Sequence, residues 1–165
     1  MRLIIDQPLA VSAEQAQAVL ADPAFYRSLG ALPNISVPEV RAQDVSDRQA
    51  RLVLGYHFDG RLSGPARRVL DPAKISWAQY SEADLAERRT EVKMVPDHYQ
   101  GLFSFEAWYR IDPRGSAAST QHFEADLRVH LPLLGPLAER AIASGIRENL
   151  AATALLVERY AAGGA

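Results

Sequence analysis

A chain of 165 residues, 48% of them hydrophobic, is the size of one domain spanning residues 1–165 and should bury about 70% of its unfolded surface in a single core. Its 18 basic side chains nearly cancel its 20 acidic ones, so no strong field draws in nucleic acid or an anionic membrane surface. The absence of cysteine excludes a disulfide framework, a zinc ribbon and thiol redox chemistry, and fits a reducing compartment.

The opening Met1-Arg2-Leu3-Ile4-Ile5-Asp6 is too short an apolar run for a signal peptide. Nothing later approaches the ~20 apolar residues of a membrane span, so a cytoplasmic protein without integral membrane association is expected. Arginine dominates over lysine, with Lys74 and Lys93 alone of the second type, and alanine is abundant, as in high-GC bacterial genomes.

A first strand is predicted near Arg2 to Asp6. Ser12 followed by Gln15 has the spacing of a capping box and starts a helix through about Ala21. Asp22 as cap and Pro23 in the first turn start a second, over Ala24 to Leu29, with Gly30 closing it.

From about Ile35 to Leu131 the chain reads as an antiparallel meander. Ser46-Asp47, Asp59-Gly60, Asp71-Pro72-Ala73, the Glu82 to Glu87 stretch, Pro96 to Gly101 and Asp112 to Gly115 part seven candidate strands, and Asp59-Gly60 is the sharpest hairpin signal. In the last of them Phe123, Ala125, Leu127 and Val129 alternate with His122, Glu124, Asp126, Arg128 and His130. In the one before, Phe103, Phe105, Ala107, Tyr109 and Ile111 alternate with a wet face broken only by Trp108. Leu52, Leu54, Tyr56 and Phe58 form a third apolar stripe, and Trp77, beside the Asp71-Pro72 turn, is expected to be buried.

Gly135-Pro136 opens a helix to about Ala161, ~38 Å long. Leu137, Ala138, Ala141, Ile142, Gly145, Ile146, Asn149, Leu150, Thr153, Leu156, Val157 and Tyr160 recur along it at helical spacing. Gly145 inside that helix calls for a close packing contact or a hinge, with close packing the leading expectation. Asn149 and Thr153, one turn apart in the stripe, need partners, which strand groups, trapped water or the polar end of a ligand would supply.

The order of strand, two short helices, antiparallel strands and one long helix resembles the START-like superfamily, also called SRPBCC or helix-grip proteins. Ala21-Asp22-Pro23-Ala24-Phe25-Tyr26, Leu70-Asp71-Pro72-Ala73-Lys74-Ile75-Ser76-Trp77 and Leu131-Pro132-Leu133-Leu134-Gly135-Pro136-Leu137-Ala138-Glu139 are similar to an uncharacterised bacterial branch of it. The resemblance implies an α+β fold in which a curved antiparallel sheet of seven to eight strands wraps around the C-terminal helix. It also implies a hydrophobic cavity between them, of the kind the superfamily uses for lipids, sterols, polyketides or quinones. It does not imply an enzyme, since function argued from a fold is analogy.

The residues themselves carry no nucleophile triad, phosphate-cradling glycine loop or dinucleotide fingerprint, so no cofactor is expected. His122 and His130 share a strand face but lie ~26 Å apart, too far to share a metal, and His122, Glu124 and Asp126 read as a solvated face. The aromatic set Tyr56, Phe58, Trp77, Phe103, Phe105, Tyr109 and Phe123, with Ile142, Ile146, Asn149 and Thr153 from the long helix, either lines a ligand cavity or fills the core. The leading expectation is binding of a hydrophobic small molecule, with no catalytic residue assigned. A polyketide aromatase or cyclase is the first alternative, with Tyr56, Arg68, Tyr80, Tyr99 and His98 as polar groups by type. A co-chaperone-like interaction domain, which needs an exposed apolar patch, is the second. Nothing in the pattern specifies an oligomer.

Overall fold

A computed structural model of the chain describes residues 1–30 and 32–163. Strand β1 (Arg2–Leu9) leads into helices α1 (Ala13–Ala21) and α2 (Pro23–Ser28). Strands β2 (Glu39–Val45), β3 (Gln49–His57), β4 (Ser76–Asp84), β5 (Arg89–Pro96), β6 (Phe103–Pro113) and β7 (Ser119–Val129) follow. Two short helical turns, α3 (Gly64–Arg67) and a 3-10 turn (Pro72–Lys74), lie between β3 and β4, and α4 (Gly135–Ala161) is the last element. The seven strands form one antiparallel sheet in the order β1-β7-β6-β5-β4-β3-β2. α1 and α2 therefore carry the chain from one edge of the sheet to the other.

Local chemistry accounts for most boundaries. Ser12 Oγ accepts from the Gln15 N–H, and the Gln15 side chain accepts from the Ser12 N–H, each at 3.2 Å, completing the capping box. Asp22 Oδ1 accepts from the Ala24 N–H at 2.8 Å and so caps α2 behind Pro23. That helix ends a residue early, on an extended Leu29. Gly30 does not take the left-handed capping conformation expected of it. α4 runs over the expected Gly135–Ala161. A Cβ on Gly135 would fall 2.5 Å from the Val129 carbonyl oxygen, so glycine alone lets the helix start this close to the end of β7.

One expected strand is absent. Asp59-Gly60 does not close a hairpin, and residues 61–70 do not pair with β3. Phe58 N–H donates to the Ile75 carbonyl and Asp59 N–H to the Asn34 carbonyl, both at 2.9 Å, so this stretch is held from other directions. Ser63 Oγ accepts from the Ala66 N–H at 3.4 Å and Pro65 sits in the first turn, which makes a helical turn out of a segment that cannot donate a full ladder. β3 pairs instead with β4, placing Tyr56 opposite Trp77.

The turns at 46–48, 85–88 and 114–118 share one end of the sheet with α1, α2 and the end of α4. That end is locked. Tyr160 Oη donates to Asp22 Oδ2 at 3.0 Å, Glu158 accepts from the Ala10 N–H at 2.8 Å, and Ser119 Oγ donates to the Val11 carbonyl at 2.9 Å. Phe25, 1% exposed, meets Tyr26 and Tyr160 edge to face at 5.2 and 5.3 Å. The opposite end gathers the 58–75 segment, the 97–102 loop, the 130–134 connection and the start of α4. Here Leu133 is fully exposed at a positive φ of 65°, and Leu137 and Val69 are exposed too.

Candidate functional site

Strand pairing fixes which side chains share the face turned toward α4. Tyr56, Trp77 and Pro96 make one row across β3 to β5. Leu54, Gln79, Met94, Phe105 and Leu127 make the next. Leu52, Ser81, Val92, Ala107, Ala125 and Leu3 follow, then Ala50, Ala83, Thr90, Tyr109, Phe123 and Ile5. Not one residue in these four rows carries a charge.

α4 does not cover the face evenly. It packs chiefly on β1, β7 and α1. Two packed clusters result. One joins α1, α2 and the end of α4 around Phe25, Ile111 and Val157. The other joins β1, β5, β6 and β7 to the first half of α4 around Phe105, Phe123, Leu127 and Ala143. Tyr109 borders both. Leu52, Leu54 and Tyr56 are buried yet belong to neither, which leaves the β3–β4 side of the inward face as a seam outside both clusters.

That seam holds the interior's unsettled polarity. The Trp77 ring stacks on Tyr56 at 5.7 Å and 21°, and its indole N–H is buried without a hydrogen-bond partner among the described residues. Elsewhere, on α4, Asn149 Oδ1 is also buried without a hydrogen-bond partner among the described residues. Native interiors pair nearly every such atom, because leaving one unpaired costs about 1 to 3 kcal/mol. Burial raises the pKa of the Tyr26, Tyr56 and Tyr109 phenols, with a Thr90 hydrogen bond partly opposing it at Tyr109. At neutral pH they are uncharged hydrogen-bonding groups and not bases. A cavity of about 20 Å³, room for roughly one water, lies at the locked end between Gln17, Leu52, Ser81, Thr90 and Tyr109.

The structure divides the expected site residues. Phe103, Phe105, Phe123, Ile142 and Ile146 pack together under the first half of α4, with the Phe103 and Phe105 rings parallel at 6.3 Å. Tyr56 and Trp77 lie at the seam, while Asn149 and Thr153 are half-buried one turn apart on α4. Phe58 sits past the end of β3, its ring against Gly60, away from the others. Of the polar groups selected by type, Tyr80 is 45% exposed on the outer face and Arg68 and His98 are exposed. Tyr99 accepts from the Asp71 N–H through its hydroxyl at 2.9 Å. Tyr56 alone of that set is buried on the inward face, and beside it stand Gln79, Ser81 and Thr90, which the sequence reading missed. The period of two from Trp77 was the available signal, but β4 alternates so weakly in polarity that its two faces look alike.

Three further expectations change. Leu137 and Ala141 are exposed and outside the buried stripe of α4. A Cβ at Gly145 would meet nothing within 4 Å, so close packing does not explain that glycine. His122 is more than a solvated side chain, since it hydrogen-bonds Asp6 at 2.6 Å and Glu124 at 3.2 Å on the outer face. Trp108, also on that face, lies under the Arg89 guanidinium at 4.0 Å.

Among solved structures, the chain is similar to the ZhuI aromatase/cyclase from Streptomyces sp. R1128, with a TM-score of 0.68 at 14% identity over 100% of this chain and 99% of that one. It is similar to norcoclaurine synthase from Thalictrum flavum in complex with dopamine and hydroxybenzaldehyde, with a TM-score of 0.62 at 17% identity over 99% and 87%. A START superfamily protein from Mycobacterium smegmatis matches with a TM-score of 0.54 at 20% identity over 98% and 97%. These likenesses establish the START-like helix-grip fold. No helix among the described residues is long and apolar enough to cross a membrane. No curated protein matches. The model of the family described as "Protein of unknown function (DUF2505)" matches residues 5–160, and the chain belongs to that family.

Proposed function

We propose that this protein binds a hydrophobic small molecule between the inward faces of β3 and β4 and the flank of α4. The observation that carries the reading is the seam: an uncharged, aromatic wall that the grip helix leaves outside both packed clusters. An apolar wall with a few placed polar groups is the usual composition of a small-molecule site. The cavity of about 20 Å³ is far smaller than a ligand pocket, so the ligand enters by parting the flank of α4 from β3 and β4. The parent folds support this use, since the similar structures include a synthase holding two aromatic molecules.

A cyclase-like reaction is the second reading, favoured by the inward polar groups Tyr56, Gln79, Thr90 and Tyr109. It is the weaker one, because efficient proton transfer wants a group titrating near the working pH, and burial drives these phenols away from it. Native mass spectrometry of protein purified from its own host tests the binding reading. A retained apolar molecule is expected. Apo protein alone, together with no thermal shift from fatty acids, sterols, quinones or flat aromatic polyketides, overturns it; a ligand at 100 times its Kd would stabilise the fold by ~2.7 kcal/mol.

A further inference from the structure

We infer that the end of the molecule opposite the locked one docks on a lipid bilayer with anionic headgroups, Leu133 and Leu137 entering the apolar boundary and a basic rim meeting the headgroups. The inference is independent of the pocket reading above.

Antiparallel pairing sends the 58–75 segment, the 97–102 loop and the 130–134 connection out of the same end of the sheet. They are tied together there: the Tyr99 hydroxyl accepts from the Asp71 N–H at 2.9 Å, and the Leu102 carbonyl accepts from the His130 N–H at 2.8 Å. Two observations on this end carry the inference. The first is apolar. Leu133 is 100% exposed at a positive φ that leucine rarely adopts, and Leu137, four residues on, is 56% exposed. No contact within the chain offsets either the strain or the stranded apolar surface.

The second observation is electrostatic. The balanced total of 18 basic and 20 acidic residues hides an uneven distribution. Residues 58–75, 97–102 and 128–140 hold six basic side chains, Arg61, Arg67, Arg68, Lys74, Arg128 and Arg140, against four acidic ones. None of the six makes an ion pair among the described residues. Three of the four acids are already engaged: Asp71 accepts from the Ala73 N–H, Asp97 from the Ser76 hydroxyl, and Glu139 from the Val129 N–H. This rim disfavours a second copy, which would bring up a rim of the same sign. A leucine standing wholly clear of its surroundings also presents no groove or flat patch to a folded partner, whereas a fluid acyl boundary closes around it.

Co-sedimentation of the full chain with vesicles of phosphatidylcholine, alone or with about 30% phosphatidylglycerol, tests the inference. Binding to the anionic vesicles should be about tenfold or more tighter than to the neutral ones, and should fall as salt rises from about 0.1 to 0.5 M. Leu133→Asn introduces a residue at ease with positive φ and should weaken binding about fivefold or more. Arg67→Gln combined with Arg68→Gln should weaken it by at least about as much, on the anionic vesicles alone. Leu155, 61% exposed in the other half of α4, supplies the control, and Leu155→Gln should change binding less than about twofold. The inference is overturned if the anionic vesicles bind nothing, or if Leu133→Asn loses no more than Leu155→Gln does. Self-association in sedimentation equilibrium that Leu133→Asn abolishes would assign this end to a second copy and overturn it as well.

Discussion

The two halves of the inward sheet face are built differently. Around β1, β6 and β7 the interior is dense: Phe25, Phe105, Ile111, Leu127 and Val157 are all essentially without solvent contact, and α1, α2 and α4 converge on them. Around β3 and β4, Leu54 is as deeply buried, but its neighbours along the rows are Gln79, Ser81, Tyr56 and Trp77, and the Trp77 indole N–H there goes unpaired among the described residues. The first half is a core that holds the fold. The second tolerates an unsatisfied group that a core selected only for stability would replace with an aliphatic one.

From that contrast, the largest effect belongs to the dense half. Phe25→Ala should lower the unfolding free energy by about 3 to 5 kcal/mol in urea titration. A loss below about 1 kcal/mol would mean that the locked end is no tighter than the seam.

At Asn149 on α4 the sign should reverse. Asn149→Leu removes a buried unpaired acceptor and should leave the empty protein as stable as before, or more stable by about 1 kcal/mol. A clear destabilisation would show Asn149 to be a structural hydrogen-bonding residue. Gly145→Ala sharpens the same contrast, because open space surrounds the position. It should stabilise by about 0.5 to 1 kcal/mol through helix propensity alone, and a loss of stability would place a neighbour where none is seen.

The smallest effect lies on the outer face. The pKa of His122 is raised, first by its hydrogen bond to Asp6 and then by that to Glu124. Because the folded value lies above the unfolded one, the contribution is fully present below about pH 6.5 and fades as the pH rises through the folded value. The stability advantage of the wild type over His122→Gln should therefore be greater at pH 5.5 than at pH 8.5. Equal differences at both would remove the coupling, and an NMR titration of the His122 ring reads the pKa directly.

Much of this architecture follows from local chemistry. Ser12 with Gln15, Asp22 with Pro23, and Gly135 with Pro136 each set a helix start through atoms a few residues apart, and strong alternation settles the facing of β6 and β7. The aromatic residues of the candidate site were also visible as types. What sequence alone could not decide was anything depending on partners distant in the chain. Residues 61–70 lose their strand because Asn34 and Ile75 take the neighbouring backbone bonds. Gln79 and Ser81 turn inward because Tyr56 pairs with Trp77. Asp6, 116 residues from His122, is what makes that histidine more than a surface side chain. Phe105 packs while Tyr56 borders the seam because the helix leans toward β1 and β7, a choice made by the summed packing of many side chains and written in no single stretch of the chain.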